Sequence, residues 1–138
     1  MKLTRRETLV MGMGAAAAMV LPFRVSAAVE DDIAAFAGGA DIMEGGVTLT
    51  APEIAENGNT VPISVDAPGA VAVAVYAAGN PVPGVVTFNF GPLAASQSAS
   101  TRIRLAGTQD VIAVAKMADG SVYRAQQTVK VTIGGCGG

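Results

Sequence analysis

The chemistry this chain can do rests on one side chain. Cys136 is its only cysteine, set in the terminal run Gly134-Gly135-Cys136-Gly137-Gly138. A thiol, as its thiolate, is both a nucleophile and a soft ligand. The usual fate of a free cysteine is burial as a small hydrophobe, but glycines at a chain end offer nothing to bury it in. Four glycines leave the backbone almost unrestrained, and five extended residues span roughly 17 Å. The run therefore reads as a tether able to carry a sulfur atom into a pocket on another protein. Its missing side chains suit a narrow channel. One cysteine cannot staple a fold, so it is free, modified or joined to another chain.

Nothing nearby activates the thiol. The chain has no histidine, the common general base and metal ligand. The nearest cation in sequence is Lys130, and the terminal carboxylate two residues on disfavours the thiolate. The pairing of base and nucleophile that covalent catalysis needs is missing, so Cys136 is expected to be a handle for substrate and not a catalyst. Three other readings remain open. The cysteine could join two scaffold subunits by a disulfide, or act as an enzyme's nucleophile. Gly137-Gly138 could end in a thiocarboxylate, which an exported protein has no ATP-dependent route to form.

Export is written at the other end. Lys2, Arg5 and Arg6 precede an apolar run from Leu9 to Phe23, and Val25-Ser26-Ala27 places small residues where a signal peptidase cuts. Thr4-Arg5-Arg6-Glu7-Thr8-Leu9-Val10 matches a twin-arginine signal, with Thr8 where that signal often has Phe. Residues 1–27 are thus expected to be an export signal, 28–133 a folded domain and 134–138 the arm. The whole chain carries a net −2, and its first 27 residues hold four cations and one anion, so residues 28–138 carry −5. An acidic domain without basic clusters is a poor nucleic-acid binder.

The elements between signal and arm are mostly strands. Glu30-Asp31-Asp32 followed by Ile33, Phe36 and Gly38-Gly39 predicts a helix of about two turns, roughly residues 31–37. Alternation then predicts strands at Val47–Thr50, Val61–Asp66, Val71–Tyr76, Val85–Phe90, Arg102–Leu105, Val111–Met117 and Tyr123–Ile133, with turns at Asn57-Gly58 and Asp119-Gly120. About seven strands at such spacing predict an all-β fold, an immunoglobulin-like antiparallel β-sandwich with a short N-terminal helix. Two strands are apolar on both faces: Val71, Val73 and Val75 against Ala72, Ala74 and Tyr76, and Val111 to Ala115 through Ile112 and Val114. A two-layer sandwich buries only one face of each sheet, so a partner chain is expected over the other.

The terminal Gly-Gly-Cys-Gly-Gly, preceded by Val129-Lys130-Val131-Thr132-Ile133, resembles the C-terminus of the SoxY family, the substrate carriers of the periplasmic sulfur-oxidising (Sox) system. The twin-arginine signal, short helix and small sandwich are similar too, so the resemblance covers essentially the whole chain. It implies that Cys136 is the attachment point, that Gly134, Gly135, Gly137 and Gly138 form the arm, and that the chain has no catalytic residue, metal or cofactor of its own. It implies a SoxZ partner covering the apolar face. It further implies transient contacts with three enzymes: a c-type haem enzyme (SoxAX) that joins thiosulfate to the thiol, a hydrolase (SoxB) that releases sulfate, and, where present, a sulfane dehydrogenase (SoxCD).

Replacing Arg5 and Arg6 together with Lys is expected to abolish export. Fractionation of cells expressing that variant checks this, and a normal periplasmic yield would contradict the reading.

Overall fold

The computed structural model describes residues 23–133, with side chains described from Ala28 onward. The expectations placed on Arg5, Arg6, Gly134, Gly135, Cys136, Gly137 and Gly138 lie outside these residues. One helix, α1 (Phe23–Ala37), is followed by nine strands: β1 (Ile42–Glu44), β2 (Thr48–Thr50), β3 (Ile54–Ala55), β4 (Val61–Asp66), β5 (Ala70–Ala77), β6 (Gly84–Asn89), β7 (Ser98–Ile103), β8 (Gln109–Met117) and β9 (Val122–Val131).

The strands form two sheets, as expected of a sandwich. The larger runs β1-β9-β8-β5-β6 with β3 also on β9, and the smaller runs β2-β4-β7. Between them lies the main core. Val61, Ile63 and Val65 of β4 meet Val73, Val75 and Ala77 of β5 and Val111, Ala113 and Ala115 of β8. The alternation that predicted β4 is what places its odd positions inside. The long pairings, β5 with β8 and β8 with β9, are antiparallel. The two short strands that alternation does not reveal, β1 and β3, both pair with β9 in parallel.

The second face of the larger sheet is covered by the chain itself. Val29, Ile33 and Ala37 of α1 pack on Ala74, Tyr76, Ile112, Val114 and Val122. The expectation that a partner covers this face is therefore corrected: the outer apolar row of β5 and β8 is the seat of the chain's own helix. Burial there pushes the Tyr76 phenol above its ordinary value, and the nearby Asp32 carboxylate adds to the effect. Val71 also departs from expectation. The ladder shifts register between Ala70 and Ala72, and this bulge turns Val71 outward, 42 % exposed.

The helix is longer than expected. Val29, Ile33 and Ala37 recur four apart, one face of an α-helix, and small residues before them let the helix continue back to Phe23. The acidic trio read as its start lies mid-helix on the exposed side. The helix therefore runs through the expected boundary between Ala27 and Ala28. Gly38 ends it at φ +64°, its N–H donating to the Ala34 carbonyl at 3.1 Å. Arg124 of β9 grips Glu30 with two hydrogen bonds of 3.0 Å. This pair is solvent-facing and worth at most about 1 kcal/mol; its main effect is to fix the helix's rotation on the sheet.

At the other end of β9, Gly46 (φ +66°) lies against the Tyr123 ring, where a Cβ would come within 2.6 Å of it. Only glycine fits that approach. The Asp119-Gly120 hairpin is as predicted: Ser121 N–H donates to Asp119 Oδ1 at 2.9 Å and holds that carboxyl below its usual range.

Truncating Ile33, fully buried under the sheet, to Ala is expected to lower the unfolding free energy by about 2–5 kcal/mol. Asp31→Ala, on the exposed side of the same helix, is expected to stay within about 0.5 kcal/mol of the parent. Urea denaturation measures both. Equal effects would show that α1 is not docked.

Candidate functional site

The candidate site is the carboxyl end of β9, the last described stretch before Cys136 in the sequence. As the last strand of the larger sheet, β9 could fray at its carboxyl end, where β8 no longer accompanies it. Four separate bonds prevent this. Lys130 N–H donates to the Glu53 carbonyl at 2.9 Å and Thr132 N–H to the Ala55 carbonyl at 3.0 Å. These extend the parallel pairing with β3 past the formal end of the strand. On the opposite edge Val131 N–H donates to Thr108 Oγ1 at 3.0 Å, a side-chain hydroxyl standing in for a backbone carbonyl. Beyond them the Ile133 carbonyl accepts from Gly58 N–H at 2.7 Å. The Thr132 hydroxyl adds a bond to the Glu56 carbonyl at 3.1 Å. The chain is therefore held through Ile133, where the strand was expected to end, although ladder pairing stops at Val131.

The segments that hold β9 are themselves fastened. The Gly58 carbonyl accepts from Leu105 N–H at 2.8 Å, tying the 53–58 segment to the exit of β7. Behind Thr108 lies Gln109, the buried polar residue among those described. Its Nε2 donates to Asn80 Oδ1 at 2.9 Å and to the Gly107 carbonyl at 3.0 Å, and its Oε1 accepts from Gly79 N–H at 2.9 Å. Asn80 donates in turn to the Arg104 carbonyl at 2.8 Å and accepts from Ala106 N–H at 2.9 Å. A buried amide with all its bonds made rigidifies the loops it joins. Three loops at this end thus form one unit around the root of the arm.

No reaction apparatus accompanies this root. Among the described residues no cluster of His, Cys, Asp or Glu could hold a metal ion. A hollow of about 430 Å³, lined by Gly46, Gly69, Met117, Asp119 and Tyr123, lies where β9 begins, at the far end of the strand. Two exposed apolar side chains flank the root, Ile54 and Ile133, with Lys130, Glu53 and Glu56 exposed beside them. The arrangement fixes the backbone through Ile133.

Sequence reasoning placed the arm on β9 but missed the parts that pin it. Asn57-Gly58 was legible as a turn, but not as a clamp on Ile133. Thr108 and the Asn80–Gln109 pair carry no motif, because their partners are set by register across strands.

A family model described as sulfur oxidation protein SoxY matches residues 33–136, from the buried Ile33 of α1 to Cys136 itself. Among solved structures, the sulfur carrier protein SoxY from Chlorobium limicola f. thiosulfatophilum is 37% identical, with a TM-score of 0.68 over 78% of this chain and 99% of that one. A superoxide reductase (neelaredoxin) from Ignicoccus hospitalis aligns at 16% identity and TM-score 0.55, over 62% of this chain and 78% of its own. A putative superoxide reductase from Thermotoga maritima aligns at 17% and 0.53, over 70% and 89%. At those identities the likeness is one of fold alone. The comparison with curated proteins finds no match. The family match over most of the chain and the 37% identical relative together show that the chain belongs to the SoxY family of sulfur oxidation proteins.

Proposed function

We propose that this chain is a non-catalytic carrier that holds sulfur intermediates on Cys136 during thiosulfate oxidation. The observation that carries the reading is the continuity of the family match from the docked helix to Cys136, on a chain whose backbone is fastened through Ile133 and is mostly glycine beyond it. The 37% identical relative is a sulfur carrier by its description.

In the proposed cycle the Cys136 thiol and thiosulfate lose one proton and two electrons. A new S–S bond forms, and the electrons leave with the SoxAX-like haem enzyme. Water then cleaves the bond between the outer sulfur and the sulfonate in the SoxB-like hydrolase, releasing sulfate and leaving a persulfide on Cys136. A SoxCD-like dehydrogenase, where present, takes electrons from the outer sulfur while water supplies its oxygens, giving a sulfonate on the Cys136 sulfur; in the hydrolase water then cleaves that S–S bond, releasing sulfate and the free thiol. The body does none of this chemistry, in keeping with its lack of histidine. Its contribution is geometric: each enzyme's reacting atom must come within roughly 13 Å of Ile133, the reach of three extended residues and one thiol side chain. The work takes place in the periplasm, reached by the twin-arginine route, which moves folded proteins and suits a carrier exported together with a SoxZ-like subunit.

Intact mass of the native protein, purified without reductant from cells oxidising thiosulfate, is expected to show sulfur or thiosulfonate increments that a thiol reagent removes. Cys136→Ser is expected to abolish thiosulfate-dependent electron transfer in the reconstituted system while leaving the melting temperature unchanged. A bare thiol throughout, or a disulfide-linked dimer with no adduct, would defeat the proposal and favour a scaffold.

A further inference from the structure

An asparagine followed by glycine is the dipeptide at which a backbone most readily reacts with its own side chain. The glycine nitrogen, with no side chain beside it to hinder approach, can attack the carbon of the asparagine amide. Four asparagines occur in the chain, Asn57, Asn59, Asn80 and Asn89, and glycine follows only Asn57. Pro81 after Asn80 has no N–H to lose. Thr60 and Phe90, after the other two, put bulk at the attacking nitrogen. Asn57 is exposed, so water and base reach it.

The peptide that would have to react is the one that holds Ile133. Its N–H, that of Gly58, donates to the Ile133 carbonyl at 2.7 Å, and its carbonyl, that of Asn57, accepts from Thr60 N–H at 3.4 Å. The Asn57 side chain is held as well, its Oδ1 accepting from Asn59 N–H at 3.0 Å. Gly58 is buried, and its own carbonyl is bonded to Leu105 N–H. Ring closure needs the Gly58 nitrogen to lose its proton and turn towards Asn57 Cγ. It cannot do so while that proton is shared with Ile133. Of these holds, the Ile133 bond is the one made near a chain end, where local opening costs least. The reaction therefore waits on the clamp.

We propose that Asn57 is a modification site gated by the Ile133 clamp. When the clamp opens, the Gly58 nitrogen gives its proton to water and forms a C–N bond to Asn57 Cγ, ammonia leaves, and a cyclic imide results. Water then adds to one of the two imide carbonyls, giving aspartate or isoaspartate. No oxidant and no second protein takes part. Isoaspartate routes the main chain through the former side chain and lengthens it by one carbon, so Gly58 N–H no longer lies opposite the Ile133 carbonyl. It also places a new carboxylate beside the exposed Glu56. A transient opening thus becomes permanent. A carrier of the kind proposed above would lose its fixed arm root in this way, but the reaction itself does not depend on that reading.

The test is peptide mapping by mass spectrometry of the purified protein, incubated with reductant at mildly alkaline pH, both folded and in urea. Asn57 is expected to convert in urea, and at least about tenfold more slowly in the folded parent. Thr108→Val combined with Thr132→Val removes the hydroxyls that bond to Val131 and Glu56 beside the clamp. It is expected to raise the folded-state rate severalfold while β8 amides exchange hydrogen no faster than in the parent. Should those amides exchange faster, the whole fold has loosened, and Thr132→Val alone carries the comparison. The isoaspartyl form of the parent, separated by ion exchange, is expected to lose exchange protection at Gly58 and Thr132 and to keep it in β8. A folded parent that converts as fast as the chain in urea overturns the proposal. So does a folded-state rate that the hydroxyl variants leave unchanged, or an isoaspartyl form with Gly58 and Thr132 still protected. The sulfur adduct on Cys136 is read from a different peptide, so failure here leaves the carrier reading standing.

Discussion

The structure depends on the burial of both faces of β5 and β8. Their inward side chains, Val73, Val75, Val111, Ala113 and Ala115, meet the smaller sheet. Their outward ones, Ala74, Tyr76, Ile112 and Val114, meet α1. Each fully covered Val or Ile contributes about 1.5–3 kcal/mol relative to exposure, so neither cover is dispensable in a small domain. The molecule is consequently three layers: helix, larger sheet, smaller sheet. A strand pair apolar on both faces cannot slip by one residue to its advantage, but it cannot leave either face to solvent. The helix is the only described element on the outer side, which makes Val29, Ile33 and Ala37 part of the core.

That double burial also explains how β9 is held. β9 pairs with β8 from Val122 to Val129 and takes two parallel partners on its far side: β1 at its start and β3 towards its end. A three-residue and a two-residue strand have little stability of their own; they exist because β9 offers an edge. In return they leave β9 with neighbours on both sides near each end. Its exit is then a rigid point on a rigid sheet, extended through Thr108, Ala55 and Gly58 to Ile133.

Much of this was legible beforehand, for definite reasons. Val61, Ile63 and Val65 alternate with polar neighbours, and alternation reports one buried face. The Asp119-Gly120 turn announces a hairpin through its own residue chemistry. The apolar outer face of β5 and β8 was legible as a fact but not as an address. Sequence shows that a face must be covered, and not by what. The covering stripe of Val29, Ile33 and Ala37 is thin and sits beside alanines that continue an apolar run in the sequence. β1 and β3 were invisible because two or three residues cannot display a period. Thr108 was invisible because its role exists only once the end of β9 is brought beside it.

Why should a carrier pin its chain so far, through Ile133? Effective concentration is not the reason. A flexible tether dilutes its end group roughly as length to the −3/2 power, so lengthening the three residues that lead to Cys136 to five changes it about 2.2-fold, or about 0.5 kcal/mol. Three backbone–backbone bonds and two that use the Thr108 and Thr132 hydroxyls are a large outlay for so small a return. The side chains give a better answer. Freed from the sheet, Thr132 and Ile133 would join the tether, and both are β-branched and stiff. They would carry bulk toward any channel shaped for glycine and cysteine, and would leave the Thr132 N–H and Ile133 carbonyl to be satisfied elsewhere. Held against Ala55, Glu56 and Gly58, they remain part of the body. The boundary between sheet and arm then coincides with the boundary between branched side chains and none. In this reading the clamp keeps the width of the presented segment small, and its length is set by where the glycines begin.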